Sequence, residues 1–251
     1  MSERAVITIQ HVSFGYSRSS VLEDVNLTVH ERDFIWVVGP NGGGKTTLLK
    51  LMLGLLQPVK GNVQVLGGSP QEARSRIGYM PQYVDIDPHF PVSVKDIVLM
   101  GRLGNGHGFG RYTHEDKEAA ARALAGVGLN DLGERHFSTL SGGQQRRLLI
   151  ARALASEPEI LMLDEPMANL DLVVAEDIQG LLHHLNQKLT VVMVSHDPAL
   201  VSKNVKNVVC VNKTVAIHPT CEVDSRMLGD LYRGQMRMVR HDQHAEGEQT
   251  E

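Results

Sequence analysis

The segment that decides the fold is FIWVVGPNGGGKTTLLKLMLGLL, residues 34–56. Its first five residues are apolar and rich in β-formers, a pattern that predicts a buried strand. Its last nine residues are mostly leucine, which favours a helix. Between them, glycines at 39 and 42–44 resist regular structure. A strand, a glycine-rich loop and a helix in immediate succession are typical of an α/β core.

This loop satisfies the pattern G-x-x-x-x-G-K-[ST], with Gly39 first and Gly44, Lys45 and Thr46 last. Glycines let consecutive backbone N–H groups converge on an anion at a helix N-terminus. In this pattern the lysine reaches the outer phosphates of a nucleotide and the hydroxyl that follows ligates Mg²⁺. The alternative is a plain turn with an exposed lysine. We predict an ATP site formed by Gly39, Pro40, Asn41, Gly42, Gly43, Gly44, Lys45, Thr46 and Thr47.

The sequence on either side of the loop predicts two kinds of sheet. Residues 5–16 and 21–33 contain alternating apolar positions, as in an antiparallel layer. Three later runs, IGYMPQ, EILMLDEP and TVVMVSH, are continuously apolar, as in parallel strands covered on both faces. The predicted fold class is therefore α/β: a P-loop NTPase core with a mostly parallel sheet, an N-terminal antiparallel β layer and an inserted helical subdomain.

The chain is predicted to form a single domain with one insertion. Residues 91–101 and 113–129 are predicted to be helical, and we assign them to a helical subdomain, 83–140. The core then comprises 1–82 and 141–220, including a hairpin around Asn212-Lys213. Residues 221–251 form a polar C-terminal extension.

Polar groups follow the apolar runs that come after the loop. Asp164, at the end of EILMLDEP, is predicted to hold Mg²⁺ through water, and Glu165 is the candidate base for a water that attacks phosphorus. His196, after TVVMVS, could orient Glu165 or that water. Gln82 could complete the Mg²⁺ and water shell, although a lone glutamine is ordinarily a loop residue. We predict Glu165, His196 and Gln82 as catalytic residues, and Thr46, Gln82 and Asp164 around the metal.

The segment LSGGQQRR, residues 140–147, predicts a second anion site. Ser141 and Gln144 have the spacing of a capping box, so a well-capped helix is one interpretation. Gly142 and Gly143 additionally expose two backbone N–H groups beside the Ser141 hydroxyl. One nucleotide hardly needs two such helix ends from one chain. Two chains facing head to tail could each offer this end to the nucleotide held by the other.

Taken in order, GPNGGGKTT, Gln82, LSGGQ, ILMLDEP, ANLD and His196 resemble the nucleotide-binding subunit of ABC transporters. The resemblance covers nearly the whole chain. It implies that Tyr16 stacks on adenine and that a homodimer closes around two ATP molecules. The ATP site of each chain would be completed by four residues of the other chain: Ser141, Gly142, Gly143 and Gln144. Asp171 would lie at the dimer seam, where the two chains meet.

The resemblance also implies partners: polytopic permease subunits and an extracytoplasmic solute-binding protein, with this chain at the cytoplasmic face of the membrane. Three residues could receive a permease helix or could pack within the helical subdomain: Tyr83, Ile86 and Phe90. The segment 90–104 most resembles cassettes of zinc and manganese importers. Ferric-siderophore transport and a soluble ABC assembly factor or switch are the alternatives.

Bulk composition excludes some other partners. The formal net charge of -4 offers no excess of Lys and Arg for neutralising phosphates, so we expect no nucleic acid partner. No apolar run approaches the roughly 20 residues that a membrane span needs. The two cysteines are predicted to be buried or unused thiols rather than a disulfide framework.

Overall fold

The structure, a computed structural model, describes residues 4–16, 19–83, 90–103, 111–195 and 207–219. These residues contain nine strands in two sheets, together with five α-helices. The strands are β1 (Ala5–Tyr16), β2 (Ser19–His30), β3 (Phe34–Val38), β4 (Lys60–Val65), β5 (Ile77–Met80), β6 (Ile160–Asp164), β7 (Thr190–Val194), β8 (Asn207–Asn212) and β9 (Thr214–Pro219). The helices are α1 (Lys45–Met52), α2 (Val94–Leu99), α3 (His114–Gly126), α4 (Gly142–Leu154) and α5 (Leu172–Asn186).

The larger sheet has the strand order β5-β6-β7-β3-β8-β9, and neighbouring strands are parallel except for the final pair. Strands β3, β6 and β7 are buried along their whole length. Successive side chains point to opposite faces: Trp36 joins one apolar cluster, whereas Ile35 and Val37 join the other. This burial on both faces explains why these strands are continuously apolar in sequence.

The smaller sheet is antiparallel and has the order β2-β1-β4, which confirms the predicted antiparallel layer. In β2, Val25, Leu27 and Val29 are buried and the residues between them are exposed, as their alternation predicts. These side chains pack with α1 and one face of the larger sheet in a single apolar cluster. Strand β4 was not predicted from the sequence.

The other face of the larger sheet is covered by α2, α3, α4 and α5. Capping boxes begin the first three of these, with Ser93, Thr113 and Ser141 as the N-cap residues. An ion pair between buried Arg102 and Asp116, with 2.9 Å between Nε and Oδ1, secures the start of α3. The predicted helices and fold class are confirmed, while the boundaries of the helical subdomain stay a prediction.

Two further features of the chain concern membranes and the C-terminal hairpin. None of the helices within the described ranges is long and apolar enough to cross a bilayer.

The predicted hairpin is confirmed, because β8 and β9 pair in register around Asn212 and Thr214. Cys210 in β8 is buried with a free thiol, as predicted, and Cys221 lies outside the described residues.

Candidate nucleotide-binding site

The glycine-rich loop connects β3 to α1 and opens towards solvent at the carboxyl ends of the parallel strands. Gly42 and Gly44 have φ values of 77° and 104°, in the left-handed region that favours glycine. Gly44 is the N-cap of α1, so the backbone N–H groups of the first helical turn face the loop. The loop therefore has the conformation that an anion-binding nest requires.

Lys45, the first residue of α1, lies across this loop. Its Nζ donates to the carbonyl oxygens of Gly39 at 2.8 Å and Pro40 at 3.0 Å. Burial lowers the pKa of Lys45, while the nearby carboxylates of Glu165 and Asp164 raise it. Burial outweighs the carboxylates, so the pKa of Lys45 is lowered overall, and the third donor of its ammonium group is available to a phosphate oxygen.

The turn between β8 and β9 supports the loop from behind. The Lys213 backbone N–H donates to the Gly43 carbonyl at 3.1 Å. A side chain at Gly39 would collide with the carbonyl of Val211, so glycine is required there by close backbone approach. Residues far along the chain thus fix the shape of the loop.

A cleft with a volume of about 480 Å³ contains the loop and brings most of the predicted residues together. Its lining is Tyr16, Val21, Asn41, Gly42, Gly43, Gly44, Lys45, Thr46, Thr47, Gln82 and Glu165. Tyr16 is 50% exposed, and its ring meets Phe14 edge to face with centroids 5.0 Å apart. Its ring is thus supported from behind and accessible to a planar ligand.

Asp164 ends β6 beside the cleft and is only 2% exposed. The Thr46 hydroxyl donates to this carboxyl group, and Oδ1 has no hydrogen-bond partner among the described residues. Burial raises the pKa of Asp164, the Thr46 bond lowers it, Glu165 raises it and Lys45 lowers it. A buried, unpartnered carboxylate oxygen next to a threonine hydroxyl offers the hard oxygen donors that Mg²⁺ prefers, so the predicted metal residues Thr46 and Asp164 fit this ion.

Glu165 and Gln82 are hydrogen-bonded to each other. Gln82 Nε2 donates to Glu165 Oε2 at 2.9 Å, which links two predicted catalytic residues 83 positions apart. Glu165 has a φ of 51° and its N–H donates to the carbonyl of Val194 in β7. Glu165 is therefore held by its carboxylate to Gln82 and by its backbone to β7. His196 lies outside the described residues.

Ser141 caps α4, where its Oγ accepts from the Gln144 N–H at 3.3 Å and Gln144 Oε1 accepts from the Ser141 N–H at 3.0 Å. Neither residue lines the cleft that holds Lys45. The glycine pair between them is asymmetric. A Cβ on Gly143 would lie 2.6 Å from Val174 of α5, whereas one on Gly142 would meet nothing closer than 4.0 Å among the residues that the structure describes. Packing against Val174 explains Gly143, and no contact within those residues requires glycine at position 142.

Asp171 is the N-cap of α5 and accepts from the Val174 N–H at 3.0 Å. It is exposed, and the two residues that follow, Leu172 and Val173, are apolar and 63% and 70% exposed. Sequence reasoning did not single out Arg146, whose guanidinium lies behind Gln82. Arg146 lies within the segment LSGGQQRR, but the segment does not signal its contacts, which are with backbone carbonyls of distant parts of the chain.

Comparison with known proteins gives the class. Residues 22–168 match the ABC transporter family. An ATP-binding protein of a metal transport system in Chlamydia trachomatis is 46% identical over 209 residues, which cover 82% of this chain and 88% of the relative. In Bacillus subtilis, the manganese transport system ATP-binding protein MntB is 41% identical (76% of this chain and 77% of the relative). The high-affinity zinc uptake system ATP-binding protein ZnuC of the same organism is 39% identical (76% and 84%).

Among solved structures, an ABC transporter of metal-chelate type in an inward-facing conformation contains a similar chain. The TM-score is 0.81 at 34% identity, with 91% of this chain and 88% of that chain covered. The fold, the cleft and these relatives define an ATPase. The chain belongs to the ABC transporter family, and the resemblance inferred from its motifs is confirmed.

Proposed function

We propose that this chain is the energy-coupling subunit of an ABC importer for a divalent metal ion, manganese or zinc. The observation that carries the proposal is the 39–46% identity with relatives named for manganese, zinc or metal transport, over three quarters or more of the chain. The cleft around Lys45 and Glu165 supports the energy-coupling part, because it joins a phosphate nest to a candidate base.

In the proposed reaction, the loop N–H groups and Lys45 bind the phosphates of ATP, and Tyr16 stacks on adenine. Thr46 and Asp164 would hold Mg²⁺, with Gln82 beside them. Bound there, Mg²⁺ would neutralise charge on the β- and γ-phosphates. Glu165 accepts a proton from the attacking water while the water oxygen bonds to the γ-phosphorus and the bond to the bridging oxygen breaks. ADP and phosphate leave, and His196 is proposed to orient the water.

Two copies of the chain would form a head-to-tail homodimer around two ATP molecules. Ser141, Gly142, Gly143 and Gln144 lie outside their own cleft, which supports their proposed role at the γ-phosphate held by the other copy. Asp171 and the exposed apolar residues after it would lie at the seam. ATP binding favours the closed dimer and hydrolysis releases it, since only the closed state places a donor on both sides of the γ-phosphate.

The membrane partners are proposed to be polytopic permease subunits, with an extracytoplasmic solute-binding protein delivering the metal. Tyr83 and Phe90 are 76% and 57% exposed, which favours a role in receiving a permease helix over packing within the helical subdomain. Ile86 lies outside the described residues. The chain would thus work at the cytoplasmic face of the membrane.

Uptake measurements in whole cells test the proposal. Cells that carry the intact chain or Glu165→Gln are given radiolabelled Mn²⁺, Zn²⁺ or a ferric siderophore, and the amount of the subunit in the membrane fraction is matched by immunoblot. We expect Glu165→Gln to abolish uptake of Mn²⁺ or Zn²⁺. If only the uptake of the ferric siderophore were lost, the proposed cargo of Mn²⁺ or Zn²⁺ would be wrong and the cargo would be a ferric siderophore. Unchanged uptake of all three would refute the importer.

A further inference from the structure

Arg146 connects two loops that approach the cleft from different parts of the chain. It lies near the start of α4, half buried behind Gln82. Its Nη1 donates to the Gln82 carbonyl at 3.3 Å, and its Nη2 donates to the Ala168 carbonyl at 3.2 Å. One guanidinium therefore holds the segment after β5 and the segment after β6 at a fixed separation.

Both of these segments are also hydrogen-bonded to Glu165. The Gln82 side chain donates to the Glu165 carboxylate at 2.9 Å, and the Ala168 N–H donates to the Glu165 carbonyl at 3.2 Å. Arg146, Gln82, Glu165 and Ala168 consequently form a closed ring of hydrogen bonds. Glu165 is held in this ring by its side chain on one side and by its backbone on the other.

The backbone of Glu165 needs such support. Its φ of 51° lies in the left-handed region, which a non-glycine residue occupies only when its surroundings hold it there. The Glu165 carboxylate and the Arg146 guanidinium also attract each other electrostatically. Burial lowers the pKa of Arg146, while Tyr83 and Glu165 raise it. A guanidinium keeps its charge under these conditions, so the attraction persists at neutral pH.

We propose that Arg146 is a positioning residue for ATP hydrolysis, whose guanidinium holds Gln82 and Ala168 so that the Glu165 carboxylate faces the nucleotide cleft. It touches neither the cleft nor, in the proposed mechanism, any reacting atom. The role rests on the proposed function, because it requires Glu165 to act as the base. Arg146 lies on the helix that Ser141 begins, so the same helix that would meet the partner's nucleotide also orients the base of its own chain.

The planar fork of arginine is necessary for this role. The two terminal nitrogens of arginine can donate to two separate carbonyls at once, whereas the single nitrogen of lysine is a point donor on a flexible stem. Arg146→Lys keeps the charge and loses the bridge. Arg146→Gln loses both. Comparing the two variants separates the geometry of the contact from its charge.

The test uses the purified full-length chain with kcat and KM for ATP, the Kd of a fluorescent ATP analogue and the thermal midpoint as readouts. The variants are Arg146→Lys, Arg146→Gln, Glu165→Gln and the double variant Arg146→Lys/Glu165→Gln. Arg122→Gln is the control, because Arg122 is an exposed arginine on α3 whose ion pair with Glu157 lies on the surface. We expect kcat to fall roughly 10- to 100-fold in both Arg146 variants, since small misplacements of catalytic groups have effects of this size.

In both Arg146 variants, the Kd for the nucleotide and the thermal midpoint should stay near those of the Arg122→Gln control. In the double variant, adding Arg146→Lys should lower the residual rate of Glu165→Gln by less than about twofold, because both substitutions act on the same step. A kcat for Arg146→Lys equal to that of the control, with Glu165→Gln inactive, would overturn the role of Arg146 alone. Parallel losses in kcat, Kd and midpoint would show a merely structural role. A normal rate in Glu165→Gln would refute the assigned base and, with it, the role of Arg146, whereas the importer is tested separately by the uptake measurement.

Discussion

At the scale of single residues, Asp164 illustrates the conflict between binding and stability. It is 2% exposed and its pKa is raised, mainly by burial. Between the unfolded and folded pKa values the folded chain retains a proton that the unfolded chain has lost. Stability contributed at this position therefore falls as the pH rises through that window. At neutral pH the ionised group opposes folding in the absence of a cation.

Asp164→Asn should consequently stabilise the nucleotide-free protein while abolishing Mg²⁺-dependent hydrolysis. We expect a gain of roughly 1 kcal/mol at pH 7, because the buried unpartnered oxygen no longer carries charge. The gain should shrink as the pH falls and should vanish below the ordinary aspartate value of 3.8, where the carboxyl group is protonated in the unfolded chain as well as in the folded one. Thermal unfolding at several pH values measures this, and a lower midpoint for Asp164→Asn at pH 7 would contradict the prediction.

Residue-scale features were predictable from sequence where they belong to contiguous motifs. The loop residues follow one apolar strand directly, and Asp164 and Glu165 lie next to each other at the end of another, so each group could be predicted from a local pattern. Arg146 could not be predicted, since its acceptors are backbone carbonyls, which carry no sequence signature, at positions 64 and 22 residues away. The hydrogen bond from Gln82 to Glu165 likewise depends on the pairing of two strands distant in sequence.

At the scale of elements, α3 and α4 begin with the same device. Thr113 and Ser141 each accept from the N–H three residues on, and each box is closed by the reciprocal side chain. Replacing either cap by alanine should cost about 1 kcal/mol of stability. Only Ser141→Ala should also lower the ATPase rate, roughly 10-fold or more, because only this hydroxyl is proposed to meet the opposite nucleotide.

The comparison of Ser141→Ala with Thr113→Ala separates capping from catalysis. Urea unfolding gives the stability loss of each variant, and steady-state ATP hydrolysis gives the rate. Similar stability losses with unequal rates are the expected outcome. Equal rates in the two variants would mean that Ser141 is a helix cap and nothing more.

Strands could be predicted from the sequence where their burial leaves a clear pattern of apolar residues. β3, β6 and β7 are buried on both faces, and their unbroken apolar runs predict them. β4, with the sequence KGNVQV, has buried side chains only at Val63 and Val65, which is too weak a pattern to predict a strand. The order of the strands in the larger sheet could not be predicted from the sequence. β3 lies between β7 and β8, which follow it much later in the chain, and only the packing of the whole chain decides this arrangement.

At the scale of the whole molecule, the proposed dimer makes an ATP-dependent change of size the expected behaviour. The Glu165→Gln chain should elute as a dimer with ATP and as a monomer with ADP. Adding Leu172→Glu should prevent the ATP-dependent dimer, because this exposed side chain would lie at the proposed seam. Size-exclusion chromatography with light scattering measures the change.

Val59→Glu is the matched control, since Val59 is similarly apolar, 71% exposed and distant in sequence from the proposed seam. Neither substitution should change the stability of the monomer by more than about 0.5 kcal/mol. Dimerisation of the Leu172→Glu chain to the same extent as the Val59→Glu chain would remove α5 from the interface.

The support given to the Gly39–Gly43 loop by Val211 and Lys213 has a consequence for protein synthesis. The ribosome completes the phosphate-binding motif early, but the strand that fixes its shape emerges only after most of the chain has been translated. A nascent polypeptide therefore carries the entire motif well before the turn that contacts Gly43 has been translated.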